Sequence, residues 1–239
     1  MCNHPDRSKI KIGYLQKTSL IEYPGKISSV AFTQGCNFRC PYCHNPELVD
    51  PSRFTPPLDP CDVYSFLQTR KGKCDAVVIT GGEPCIQDGL MPFMKEVREM
   101  GYLVKLDTNG SCPGVLSEAI SLRLVDYVAM DIKTSLSRYR EVAGAACDPC
   151  NVAESVRIIL NSGLPCEFRT TLVKEFLSLQ DFGEIGRLIE GAPRYILQRF
   201  VASKHLDERF LHAEAAFPEK ELADITGMLT GFVGQVAVR

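Results

Sequence analysis

The sequence predicts an α/β protein: a partial (β/α)6 barrel of the TIM type, in a single domain with a short N-terminal extension. Three observations lead there. Strand, loop and helix recur about six times, and that alternation makes parallel strands joined by right-handed crossovers. The 239 residues fall just short of the ~250 that eight such units usually take, so six units and an extension fit better. The unusual residues all stand just after predicted strands, on the end of a parallel barrel where chemistry is placed. The expected divisions are 1–26 for the extension, 27–207 for the barrel, and 208–239 for a C-terminal helix and tail packed on it.

In chain order, residues 1–9 read as a polar tail, and Lys11 to Ile21 suits a hairpin or an edge segment. Tyr23-Pro24-Gly25-Lys26 is a turn, with proline presetting φ and glycine free to take positive φ. Ile27 to Thr33 holds Val30, Ala31 and Phe32 in a row, as a strand buried on both faces does. Pro46 to Pro60 reads as a Pro-rich connecting loop and Val63 to Arg70 as a short helix. Further strands are predicted at Asp75–Thr80, Tyr102–Leu106, Asp126–Met130, Cys166–Thr171 and Arg194–Phe200. Helices are predicted at Asp88–Met100, Pro113–Leu122, Val152–Asn161, Phe182–Glu190 and Glu219–Thr230, the first from apolar residues at helical spacing. Phe232 to Val238 suits a last strand or a tail.

Composition narrows the function classes. An apolar fraction of 45% is that of a globular chain. No apolar run approaches ~18 residues, so no membrane span is expected. The opening MCNHPDRSKIKIG has no apolar core of a secretory signal, so the product is expected in the cytoplasm. Net charge is −2 with both signs interspersed, and no basic stripe offers a footprint for nucleic acid. Eleven cysteines in a chain of that compartment point to metal or redox use rather than to disulfides.

Three of them, Cys36, Cys40 and Cys43, form C-x3-C-x2-C within QGCNFRCPYCHNP. Thiolates so close in sequence wrap one compact metal centre. A closed zinc site wants four ligands, and a four-iron cluster normally takes four cysteines. Three suggest a cluster with one iron left open for chemistry. The rival reading is three core or reducible thiols in a turn. Cys147-Asp148-Pro149-Cys150, with Cys166, is a second group; such a spacing can bind metal or shuttle a disulfide, and unligated or reversibly paired thiols are expected.

CNFRCPYCHNP resembles the cluster loop of radical S-adenosylmethionine (SAM) enzymes. The flanking LQKTSLIEYPGKISSVAFTQGC, VVITGGEP, VKLDTNG, VAMDIK and EFRTTLV resemble the activating enzymes of glycyl radical enzymes, above all the activators of anaerobic ribonucleoside-triphosphate reductase. The resemblance runs from about Lys11 to Asp207 and implies one 4Fe-4S cluster on Cys36, Cys40 and Cys43, with SAM on the open iron. It implies that Gly81, Gly82 and Glu83 meet the SAM amino group and that Lys133, in Asp131-Ile132-Lys133, meets its carboxylate. Tyr42 would lie near the adenine, with His44 beside the last ligand. Asp107, Thr108 and Asp131 would hold a monovalent cation, and Glu22, where many members carry Asp, would touch the partner's loop. Gln198 stands where related activators often place a SAM-contacting His, which leaves that contact in doubt. No catalytic side chain beyond the cluster and SAM is implied.

The implied activity is reductive cleavage of SAM, with an electron from flavodoxin or ferredoxin, to place a glycyl radical on a partner enzyme. Two rivals stay open: a radical SAM enzyme acting on a small molecule, as carboxy-deazaguanine synthases do, and a non-catalytic iron–sulfur carrier. A closed pocket with specific polar contacts would favour the first.

Overall fold

The structure is a computed structural model that describes residues 10–202, 206–211 and 217–239. The polar stretch 1–9, with Cys2, lies outside the described residues. Eight strands follow one another in chain order in a single sheet. They are β1 Ile12–Ser19, β2 Ser28–Thr33, β3 Ala76–Gly81, β4 Leu103–Thr108, β5 Tyr127–Asp131, β6 Cys166–Leu172, β7 Tyr195–Arg199 and β8 Val236–Val238. The helices are α1 Pro46–Val49, α2 Pro60–Arg70, α3 Leu90–Glu99, α4 Pro113–Ser121, α5 Tyr139–Ala143, α6 Pro149–Asn161, α7 Leu179–Leu188 and α8 Glu219–Leu229. Six strands, β2 to β7, are each followed by helix, as the alternation predicts. The segment Lys11–Ile21 supplies the edge strand β1, antiparallel to β2, and the stretch near Val238 supplies β8.

The chain gathers into two compact units. Within the described residues the first runs to Asn37 and takes up Glu47–Thr108 and Gly114–Val128. The second takes Phe38–Pro46, Asn109–Pro113 and Ala129–Arg239, so β5 begins in the first and ends in the second.

In the first unit β2, β3 and β4 run parallel, with Val30 opposite Val78 and Val78 opposite Lys105. Val77, Val78 and Ile79 are all fully buried, which is why this strand reads as an unbroken apolar run. One face packs Tyr23, Val30, Ala76, Val78 and Tyr127 into a cluster. The turn before β2 closes with the Lys26 amide donating to the Tyr23 carbonyl at 3.1 Å, and Gly25 takes φ +71° there.

In the second unit β6, β7 and β8 run parallel, with Phe168 opposite Tyr195 and Tyr195 opposite Val236. Phe168, Tyr195, Ile196 and Leu197 are fully buried. Among the described residues no helix is long and apolar enough to cross a membrane.

Several elements begin earlier than apolar spacing predicts, and the cause is local. The Asp59 carboxylate accepts from the Cys61 amide at 2.8 Å with Pro60 in the first turn, so α2 starts three residues before Val63. Asp148 does the same through the Cys150 amide at 3.0 Å ahead of Pro149, and α6 starts before Val152. Such a cap satisfies an amide that has no helical partner, and proline in the first turn loses no needed donor. The predicted loop Pro46–Pro60 contains α1 and a 3₁₀ turn, Pro51–Arg53, capped by Asp50 in the same way.

Candidate active site

In the first unit the Gln34-Gly35-Cys36 segment is held between two others. The Gly35 amide donates to the Leu48 carbonyl at 2.7 Å, and the Gly35 carbonyl accepts from the Glu83 amide at 2.8 Å. The Gly82 amide donates to the Thr33 carbonyl at 2.8 Å. Gly81 takes φ +111°, where only glycine is at ease, and a Cβ on Gly82 would run into the Gly35 carbonyl. The glycine pair therefore lets the end of β3 lie against the backbone leading into Cys36.

Glu83 is fully buried, and its Oε1 accepts from the Cys85 amide at 2.9 Å and from the Thr108 hydroxyl at 2.8 Å. This is the same acid-then-proline cap that starts α2 and α6, here ahead of the 3₁₀ turn Pro84–Ile86. Asp107 is buried and receives Lys105 Nζ at 2.5 Å. Glu22 is half-buried in the turn after β1, its amide donating to Ser19 Oγ at 3.3 Å.

In the second unit Cys40, Tyr42, Asp131, Lys133 and Tyr139 share one electrostatic neighbourhood. The Cys43 amide donates to the Cys40 carbonyl at 3.0 Å, closing a tight turn. Burial pushes the Cys40 thiol up to about 11, only partly offset by the Lys133 ammonium; a ligand must be a thiolate, so metal would have to displace this proton. Tyr42 is buried, its ring 5.7 Å from that of Phe176 and 6.4 Å from that of Phe210. Its hydroxyl oxygen is buried without a hydrogen-bond partner among the described residues. His44 lies 5.9 Å from the Phe200 ring. The Asp207 amide donates to the Pro41 carbonyl at 2.9 Å, so a segment far along the chain is pinned to the cysteine turn.

Asp131 accepts from Lys133 Nζ at 3.0 Å and from Arg169 Nε at 2.7 Å. Burial would raise its pKa, but the charges of Arg169 and Lys133 outweigh that and hold the carboxyl well below the usual range. Burial works against a charged Lys133, and its neighbours, Asp131 first, hold its pKa well above the ordinary lysine value. The Lys133 amide donates to Tyr139 Oη at 3.2 Å, and the Tyr139 hydroxyl donates to the Asp131 carbonyl at 3.3 Å. Ile132 is fully buried; its amide donates to the Arg169 carbonyl and its carbonyl accepts from Thr170 Oγ1. Arg169 escapes the sequence reading, although a charged pair, Glu167 and Arg169, inside an otherwise buried strand was a usable signal.

This triad carries a stability prediction. Asp131's contribution should be complete above its unfolded pKa of about 3.9 and fade as pH falls toward the depressed folded value. That of Lys133 should persist until pH rises past about 10.4 and through its folded value. Arg169→Met, which leaves Lys133 as Asp131's charged partner in this triad, should lower stability at neutral pH by about 1–3 kcal/mol. Urea melts at neutral and acid pH test this, and the loss should shrink below pH ~4. An equal loss at every pH would mean that packing, not charge, is what Arg169 supplies.

Cys36 belongs to the first unit and Cys40 and Cys43 to the second. All three are unbridged, as are Cys147, Cys150 and Cys166. Among the described residues no three His, Cys, Asp or Glu side chains converge as a metal ion would need. The fit to a cluster rests instead on the donors: three soft thiols on one irregular loop, the set that suits iron–sulfur chemistry.

An α/β fold with a three-thiol loop after its first parallel strand, a glycine pair after the second and an Asp-x-Lys after the fourth defines a class of cofactor-dependent enzymes. The chain belongs to the radical SAM superfamily, whose family model matches residues 30–189. It is 32% identical over 228 residues, covering 92% of both chains, to a protein of Methanocaldococcus jannaschii provisionally named a glycyl-radical enzyme activating enzyme. Two solved structures share the fold at 14% identity. Streptococcus suis SuiB bound to precursor peptide SuiA gives a TM-score of 0.67, over 86% of this chain and 47% of that one. Escherichia coli QueE gives 0.56 over 99% of both. The fold is thus the radical SAM partial barrel, and the chain is a radical SAM enzyme related to the glycyl-radical-enzyme activating enzymes. Membership implies a 4Fe-4S cluster and SAM.

Proposed function

We propose that this enzyme places a glycyl radical on a partner enzyme, anaerobic ribonucleoside-triphosphate reductase. The observation that supports glycyl radical activation is the likeness, along nearly the whole chain, to the M. jannaschii protein provisionally named a glycyl-radical enzyme activating enzyme; the reductase as partner rests on the resemblance of the sequence motifs. Cys36, Cys40 and Cys43 would hold the cluster. When bound, the cluster would supply one-electron reduction of SAM, the chemistry from which radical transfer to the partner's glycine would start. The protein's own part is binding, orientation and exclusion of water.

Lys133, its ammonium favoured by Asp131, would meet the SAM carboxylate, with Asp131 and Tyr139 fixing its position. Arg169 and Thr170 hold the Ile132 backbone and so the register of that segment. Gly81 and Gly82 present bare backbone to the amino group. Glu83 would join them at the amino group, with its Oε1 held by the Cys85 amide and the Thr108 hydroxyl. Tyr42, backed by Phe176 and Phe210, would lie near the adenine and keep water from the cysteine turn, with His44 beside the last ligand. Flavodoxin or ferredoxin would deliver the electron, and Glu22 would meet the partner's loop.

The test is direct. Anaerobically reconstituted protein, reductant, SAM and the reductase should together give the doublet of a glycyl radical by electron spin resonance. SAM cleavage without that doublet, with any glycyl radical enzyme encoded beside this chain, would sink the reading.

A further inference from the structure

The one implied group that the residues do not fit is the monovalent cation. A hard ion needs several oxygen ligands with negative charge to spare. Asp107 Oδ1 already receives the Lys105 ammonium at 2.5 Å. The Thr108 hydroxyl donates to Glu83 at 2.8 Å. In the second unit Asp131 already carries Lys133 and Arg169. A further positive charge beside either carboxylate would meet an ammonium or a guanidinium at hydrogen-bond range.

Lys105 is unusual in its own right. Its side chain is fully buried. It stands on β4 in one row with Val78 and Val30, and its ammonium lies 5.7 Å from the centre of the Tyr127 ring. Apolar Val104 and Leu106 flank it in sequence and point, by strand alternation, to the other face. An apolar side chain would suit that row better, because a buried ion pair is weak evidence of added stability. What the pair does secure is the direction of the Asp107 carboxylate.

We propose that Lys105 is a positioning residue, a built-in counterion that does for Asp107 what a bound monovalent cation was expected to do, and that this enzyme binds SAM without Na⁺ or K⁺. The inference rests on the proposed function for its readout, SAM affinity.

The experiment is equilibrium dialysis of SAM against the cluster-loaded protein in NaCl, KCl, CsCl and choline chloride at equal ionic strength. Wild type should bind equally in all four. Lys105→Ala, which clears space beside Asp107, should bind SAM about tenfold or more weakly in choline and recover with K⁺, Na⁺ or methylammonium. A merely structural lysine would not make affinity answer to the identity of a small cation. Wild-type affinity that climbs saturably with Na⁺ or K⁺ but not choline would overturn the inference and leave the proposed function standing. Lys105→Ala that binds weakly with no response to any small cation would also overturn it. Absence of SAM binding in every salt would overturn both. Should the variant fail to fold, the wild-type series alone decides.

Discussion

Serine at Cys40 is expected to leave a folded protein that holds no cluster and makes no glycyl radical. Cys40 is 7% exposed and sits in a turn closed by the Cys43 amide. A hydroxyl is close to a thiol in size, so the turn and the packing of Tyr42 on Phe176 should survive. What is lost is the soft ligand. A serine hydroxyl does not yield the thiolate that holds iron, and with three candidate ligands on the loop the deletion of one leaves too few. The fall in radical yield should exceed the about 10–100-fold that changes around a metal's ligands cost. Iron per chain, visible absorption after reconstitution and spin resonance all read it. Cys150→Ser is the matched control, because Cys150 is exposed and caps nothing with its side chain. Cys40→Ser that still takes up iron and colour would remove this loop from the mechanism.

The cysteine loop was legible because its chemistry is local: three thiols within eight positions need no tertiary contact to be noticed. The six βα units were legible for a similar reason, since strands buried on both faces read as apolar runs. What escaped had one of two causes. Helix starts were set by capping rather than by apolar spacing. Asp50-Pro51, Asp59-Pro60, Glu83-Pro84 and Asp148-Pro149 each direct a carboxylate to the amide two residues on. Glu83 is one of these caps, a role in the turn that the sequence did not announce. The second cause is distance along the chain. Arg169 meets Asp131 38 residues away, and nothing in EFRTT names that partner. The same holds for Asp207 on Pro41 and Phe210 on Tyr42. A third feature lay too close to notice. The resemblance implied Asp107, Thr108 and Asp131 as ligands of a cation, and it gave no notice of Lys105, two positions before Asp107 on the same face of β4, which pairs with it.

Gly82→Ala is expected to be among the most destabilising single changes in the first unit. Its added Cβ would collide with the Gly35 carbonyl and lie 3.2 Å from the Leu48 carbonyl, and backbone cannot swing aside as a side chain can. To relieve the collision the turn after β3 must move off the segment before Cys36. That breaks the bond from the Glu83 amide to Gly35 and strains the bond from the Gly82 amide to Thr33. Overpacking costs ~1–3 kcal/mol, and each lost bond adds about 1 kcal/mol, so a total near 3–4 kcal/mol is expected in urea unfolding. Gly81→Ala should do comparable harm by another route. Its φ of +111° is hostile to any side chain, and its Cβ would lie 2.5 Å from the Thr33 amide nitrogen. Gly114→Ala is the informative contrast, since that glycine is in α4 with nothing near its Cβ, and alanine there should be neutral or stabilising by up to about 1 kcal/mol. If Gly82→Ala melted with wild type, the close approach of these two backbones would not be needed to hold the fold. The glycines would then owe their place to what binds them rather than to what they pack against.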